Sequence, residues 1–186
     1  MTEKIYGNVM IDLETMGQGP DAAIVAIGAA AMDIEAGAIG PTWHERIDLE
    51  SSVHGGGVMD ASTVLWWLER DAEAQEEIFF PGRQSIDDAL RSLATWFLDT
   101  CAHGVCVWGN GASFDNVILR RAFERADLAP PWAWRNDRCY RTVKALHPDV
   151  KIERSGTHHH ALDDVVSQAK HLIAMLKPRG AEHEHV

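Results

Sequence analysis

The sequence predicts an α/β or α+β domain built around one mixed sheet. Strand-like alternation fills the first 50 residues, and helical periodicity dominates the rest, with a short apolar strand at Val105–Trp108 between helices. The chain then ends on a strongly amphipathic helix. With 186 residues, 46% hydrophobic and 24% charged, it is long enough to bury one sizeable core. A single domain over residues 1–178 with a flexible tail at 179–186 is expected.

Each element has its own signature. From Gly7 to Glu14 the chain alternates, with Val9, Ile11 and Leu13 on one face and Met10, Asp12 and Glu14 on the other. Ala23–Met32 and Thr42–Leu49 come next as strands, separated by Gly37 and Gly40-Pro41, which suggests an antiparallel meander. Ser62–Arg70, Ala72–Phe80 and Ser85–Leu98 read as helices. After Val105–Trp108, a helix over Asn116–Ala126 gathers Ile118, Leu119, Ala122 and Phe123 on one side. A weak strand is expected near Trp132–Asn136 and a helix near Cys139–Leu146. In the last helix, from Ala161 to about Lys177, Leu162, Val165, Val166, Ala169, Leu172, Ile173 and Leu176 recur at three- and four-residue steps.

Charge narrows the function classes. The chain carries 17 basic and 28 acidic residues, net −11, which argues against wrapping long nucleic acid or lying on an anionic membrane. The excess is acidic in residues 1–100, whereas 120–154 holds nine basic residues against five acidic ones, so one segment could still face phosphate. No stretch approaches the ~20 apolar residues of a spanning helix, and the first residues do not resemble a signal peptide. Three cysteines without a CxxC pair favour a reduced, cytoplasmic protein over a disulfide or zinc framework.

Three places concentrate chemistry. Asp12 and Glu14 leave the same face of one strand, roughly 6–7 Å apart along the backbone. Such a pair is costly unless solvated on an edge strand, ion-paired or bound to metal. Asp115 follows Trp108-Gly109-Asn110-Gly111 and opens a helix, where Asp commonly serves as N-cap. His158-His159-His160-Ala161-Leu162-Asp163-Asp164 opens the last helix. There the aspartates suit the helix dipole and the histidines suit a solvated loop. Three consecutive histidines do not converge easily on one zinc ion. A helical wheel places both Asp163 and Asp164 off the apolar face. Taken together, four carboxylates and an imidazole form an oxygen-rich set suited to Mg²⁺ or Mn²⁺. Two such ions with a neighbouring proton acceptor are the parts of a phosphodiester-cleaving site.

Ile11-Asp12-Leu13-Glu14-Thr15, Ser113-Phe114-Asp115 and His159-His160-Ala161-Leu162-Asp163-Asp164 resemble, in order, the three motifs of the DEDDh, or DnaQ-like, 3′–5′ exonucleases. The resemblance implies Asp12, Glu14, Asp115 and Asp164 as ligands of two Mg²⁺ or Mn²⁺ ions, and His159 as general base. Trp108-Gly109-Asn110-Gly111, Ser62-Thr63-Val64-Leu65-Trp66-Trp67 and Asp137-Arg138-Cys139-Tyr140-Arg141-Thr142 are similar to the phage T4 exonuclease A branch. Exodeoxyribonuclease VIII and the RNase AS-like exoribonucleases look like relatives of that branch. Many members have His-Asn before the second motif, where Asn110-Gly111 stands here. The implied fold is RNase H-like, with a central five-stranded mixed sheet flanked by helices. The implied substrate is a single-stranded nucleic acid 3′ end, DNA or RNA, cut to nucleoside 5′-monophosphates, and a homodimer is a family expectation.

By the same resemblance Thr15 and Met16 are candidates to grip the terminal nucleotide, Met16 as an apolar wedge. Trp66 or Trp67, but not both, is expected to stack on a base. Asn110, just before the second motif, and Phe114, within it, are further candidate substrate contacts, and Arg138, with Arg141, is a candidate phosphate contact. A catalytically silent binding module of the same fold and an RNase H-like endonuclease are the alternatives.

Overall fold

The computed structural model describes residues 5–79, 84–154, 156 and 159–177. The expected tail at 179–186, the end of the helix expected at Ala72–Phe80, and His158 lie outside these residues. One sheet contains β1 (Tyr6–Thr15), β2 (Ile24–Asp33), β3 (Ala38–Arg46), β4 (Cys101–Gly109) and β5 (Asp137–Cys139), in the order β3-β2-β1-β4-β5. β1–β2 and β2–β3 pair antiparallel as the meander predicts, whereas β4 joins β1, and β5 joins β4, in parallel. The helices are α1 (Leu49–His54), α2 (Ala61–Leu68), α3 (Ala72–Phe79), α4 (Ile86–Thr100), α5 (Asp115–Arg125), α6 (Tyr140–Leu146) and α7 (Ala161–Leu176). This is an α/β RNase H-like arrangement. Among the described residues no helix is long and apolar enough to cross a membrane.

Several elements depart from the sequence expectation. The fourth strand runs Cys101–Gly109, longer than the expected Val105–Trp108, and the helix at Leu49–His54 is not anticipated. The third strand lies at Ala38–Arg46, not Thr42–Leu49, because Asp48 starts α1 by accepting the Ser51 N–H at 2.7 Å. The weak strand expected near Trp132–Asn136 is a 3₁₀ turn at Trp134–Asn136, and the pairing with β4 begins one residue later. β1 is the central strand and not an edge, so Asp12 and Glu14 are not explained by a wet sheet margin.

Both sheet faces are covered. Val9, Ile11 and Leu13 of β1 pack with Leu90, Leu93 and Phe97 of α4 and with Ile118, Leu119 and Phe123 of α5. On the other face Met10 of β1 and Ala30 and Met32 of β2 meet Val165, Ala169 and Leu172 of α7. Burying each large apolar side chain stabilises the fold by ~1.5–3 kcal/mol. The Asp137 carboxylate ties β5 to α5, accepting from Asn116 Nδ2 (3.1 Å), Arg120 Nη2 (3.0 Å) and Trp132 Nε1 (2.7 Å). Asp21, between β1 and β2, is held to α5 by Arg125 Nη1 at 2.8 Å and Arg121 Nε at 3.0 Å.

Candidate active site

Asp12 and Glu14 share the face of Met10 and point toward α7. Their cross-strand neighbours on β2 are Gly28 and Ala26, so little side-chain bulk separates the carboxylates from the helix. A Cβ at Gly28 would collide with the Ala161 carbonyl group, which shows how closely the first turn of α7 lies on the sheet. Gly28 also pairs with His44 on β3, whose ring stacks on that of His160 at 4.9 Å. His160 is the N-cap of α7 and accepts the Asp163 N–H at 3.4 Å.

Of the two aspartates in that turn, Asp164 is buried and Asp163 is half-buried. A helical wheel sets both off the apolar face. Beside the apolar stripe of α7, Asp164, Gln168 and His171 are nevertheless all buried. Gln168 Nε2 donates to Asp12 Oδ1 at 2.8 Å. His171 donates from Nε2 to the Val150 carbonyl (2.8 Å), leaving Nδ1 to accept the Tyr140 hydroxyl (2.7 Å). This anchors the chain that leads from α6 toward Arg154.

Asp115 arrives from the opposite side. A Cβ at Gly109 would meet Asp115 and Asn116, so the glycine permits the tight turn out of β4. Asp115 is not the N-cap, which is Phe114. It is instead the first residue of α5, with its carboxylate facing the carboxylates of β1.

All five residues singled out for chemistry, Asp12, Glu14, Asp115, His159 and Asp164, line one cavity of about 200 Å³. Oxygens of Glu14 and Asp164 and a ring nitrogen of His159 lie within 4.8 Å of one another. His159 has a left-handed backbone (φ 64°), uncommon for a residue with a side chain, and its N–H donates to Asp164 Oδ2 at 3.1 Å. Its ring meets Trp66 edge-on at 4.9 Å.

The electrostatics suit a cation. Burial, and then the charges of Asp115 and Asp164, hold the Asp12 carboxyl well above the usual range, against the pull of Gln168 and Arg154. Burial pushes Asp115 up to about 7, although backbone hydrogen bonds and Arg141 favour its charged form. Asp115 Oδ2 is buried without a hydrogen-bond partner. An orphaned carboxylate oxygen beside three further carboxylates fits a hard divalent cation held by oxygen ligands.

A second cavity of about 440 Å³ adjoins the first through Leu13, Glu14 and Phe114. Trp66 and Trp67 both line it, but Trp66 is 37% exposed, whereas Trp67 is 1% exposed and donates from Nε1 to the Thr15 carbonyl at 2.9 Å. Thr15 lines this cavity with its hydroxyl donated to the Gly17 carbonyl (2.7 Å). Two expected substrate contacts lie outside the lining of both cavities. Met16 is 1% exposed and packs with Val25, Trp67 and Ile78, so it has no side-chain surface to offer as a wedge. Arg138 donates from Nη1 to the Arg135 and Asp137 carbonyls and does not line either cavity. Arg141, which donates from Nη2 to the Asn110 carbonyl at 2.6 Å, and Asn110 itself do line the acidic cavity.

Sequence reasoning misses Gln168 and Arg154. Gln168 is detectable as a polar residue one helical turn after Asp164. Arg154 Nη1 donates to Asp164 Oδ1 at 2.7 Å from a segment with no periodicity.

The family described as the 3′-5′ exoribonuclease Rv2179c-like domain matches residues 7–176. The chain belongs to this family. Its fold is that of the DnaQ-like enzymes. No match is found among curated proteins. Among solved structures, this chain is similar to E. coli exonuclease I in its zinc-bound complex with single-stranded DNA. That match has a TM-score of 0.61 and 17% identity over 94% of this chain and 40% of that one. An apo exonuclease I (TM-score 0.61, 17%, 92% and 41%) and E. coli exonuclease I with a dA16 oligonucleotide (0.58, 19%, 90% and 39%) also match. The chain spans about two-fifths of the length of those proteins. At such identities the likeness speaks for the fold.

Proposed function

We propose that this domain hydrolyses the terminal phosphodiester of a single strand from its 3′ end, releasing nucleoside 5′-monophosphates by a two-metal, DEDDh-type mechanism. One observation carries this: four carboxylates and His159, drawn from β1, α5 and the entry to α7, line a single cavity that opens onto an apolar one. Asp12, Glu14, Asp115 and Asp164 are the metal ligands in this reading. Divalent Mg²⁺ or Mn²⁺ bound there would supply Lewis-acid stabilisation of charge on the attacking and leaving oxygens. His159 accepts the proton of the attacking water. Gln168 orients the Asp12 carboxylate, and Arg141 offsets negative charge at Asp115. The apolar cavity receives the terminal nucleoside, with Trp66 and Phe114 against the base and Thr15 at its edge. The family's description favours RNA, while the single-stranded DNA bound by exonuclease I keeps DNA as the comparison substrate.

The test is a time course on 3′-labelled and 5′-labelled single strands, as RNA and as DNA, with Mg²⁺, Mn²⁺ or EDTA. Immediate release of labelled mononucleotide from the 3′ end, abolished by EDTA, is expected. Binding without metal-dependent cleavage would instead mark a silent module, and cleavage of circular strands an endonuclease.

A further inference from the structure

A third cavity, also about 440 Å³, lies along α7 on the far side of Arg154. Its walls include Lys151, Arg154 and Lys170, with Glu153 as the acidic member and His171 and Ala174 in its lining. Arg154 lines both this groove and the acidic cavity, and the groove shares no residue with the apolar cavity. The three spaces therefore form a row: apolar cavity, carboxylate cavity, basic groove.

The geometry points to the basic groove as the seat of the phosphates upstream of the scissile one, so that the single strand runs along α7 away from the cleavage point. This rests on the exonuclease reading above and adds a direction to it. A 3′-terminal nucleoside brings no phosphate beyond the one being cut. Every other phosphate lies on the 5′ side, so the charged side of the row must be the upstream side. The apolar cavity, lined by Trp66, Trp67 and Phe114, suits a base; the groove, with two lysines and an arginine, suits repeated negative charge. Lys170 stands six residues beyond Asp164, roughly 9 Å farther along the helix axis. Lys151 Nζ is held at the groove wall by the Pro148 carbonyl at 2.9 Å. Arg154, 48% exposed and paired with Asp164, sits where the groove meets the acidic cavity. A chain of net charge −11 needs such a local basic track to hold a polyanion.

The experiment compares the protein with its Lys151→Ala/Lys170→Ala variant on 5′-labelled strands of two, four and eight nucleotides. Initial rates are measured from about 50 to 300 mM KCl. The expected loss grows with length. For the octamer, kcat/KM should fall about tenfold or more through KM, and the slope of its logarithm against log salt should flatten by about 1.4, the value for two phosphate contacts on a single strand. For the dinucleotide the ratio should move far less. An equal loss at all lengths, or no loss at any, overturns the groove while leaving 3′-end hydrolysis intact. Should the double variant melt below the wild type, Lys170→Glu alone must show the same length dependence. If the wild-type chain releases nothing from a 3′ end, the exonuclease reading itself falls, and the groove with it.

Discussion

Gln168 and Asp12 lie 156 residues apart in the chain and meet through a buried hydrogen bond of 2.8 Å, Nε2 to Oδ1. The other polar side-chain atom of Gln168, Oε1, is buried without a hydrogen-bond partner. The bond locks α7 to the central strand at the carboxylate cluster, and it fixes which way Asp12 faces. Gln168→Leu should lower activity roughly 10–100-fold, the usual cost of losing the group that orients a metal-binding carboxylate. Gln168→Glu should be worse, because it adds a charge to a buried acidic site. Activity titrated against Mn²⁺ checks this; a half-activation point unchanged in both variants would rule out an orienting role.

The buried carboxylates imply a pH dependence opposite to that of a salt-bridged acid. Asp115 has a folded pKa of about 7 against an ordinary 3.8, and Asp12 is also raised. An acid whose folded pKa lies above its unfolded one loses stability as pH rises between the two values. Metal-free protein should therefore melt higher near pH 5 than near pH 8, by on the order of 5–10 °C. Added Mg²⁺ should recover much more at pH 8 than at pH 5, since cation and proton compete for the same oxygens. Asp115→Asn should flatten the metal-free difference. Equal melting of the metal-free wild type at both pH values would contradict the assignment.

Gly28 tests the closeness of α7 to the sheet. Gly28→Ala places a methyl group against the Ala161 carbonyl, and the helix N-terminus must move. Overpacking of this kind costs ~1–3 kcal/mol. Asp164 and the His159–Asp164 hydrogen bond move with the helix, and a displacement of about 1 Å can cost roughly 100-fold in rate. Thermal melting and kcat together check this, and a variant of full activity would show that the turn relaxes without disturbing the site.

His159 holds its left-handed backbone while contacting Trp66 and Asp164. His159→Ala should reduce kcat about 10²–10⁴-fold, the range for a general base, with the melting temperature little changed. Wild-type rates in this variant would remove His159 from the mechanism.

Much of this arrangement is legible in the sequence because it is periodic. The alternation in β1 places Asp12 and Glu14 on one face, and the three- and four-residue steps of α7 orient its core side. The pattern omits the features that only tertiary contact creates. β5 has three residues and exists through its pairing with Val107, Trp108 and Gly109. Met16 directly succeeds a candidate motif, yet Trp67 and Ile78 close over it. The ion pair from Arg154 to Asp164 comes from a stretch where no spacing rule applies.

Two adjacent tryptophans should separate folding from substrate binding. Trp67 is enclosed with Met16, Val25 and Ile78 and anchored by its bond to the Thr15 carbonyl. Trp67→Ala should destabilise the fold by ~3–5 kcal/mol, a drop of roughly 10 °C in melting temperature. Trp66 lines the apolar cavity, with the Arg70 guanidinium 4.3 Å from its ring centre. Trp66→Ala should leave melting within a few degrees and raise KM for a short single strand by about 5–150-fold, the equivalent of one lost base stack at ~1–3 kcal/mol. Trp66→Phe should recover part of that affinity, because a smaller aromatic face still stacks. If Trp66→Ala leaves KM unchanged, the base does not stack on this ring, and Phe114, on the border of both cavities, becomes the ring to test.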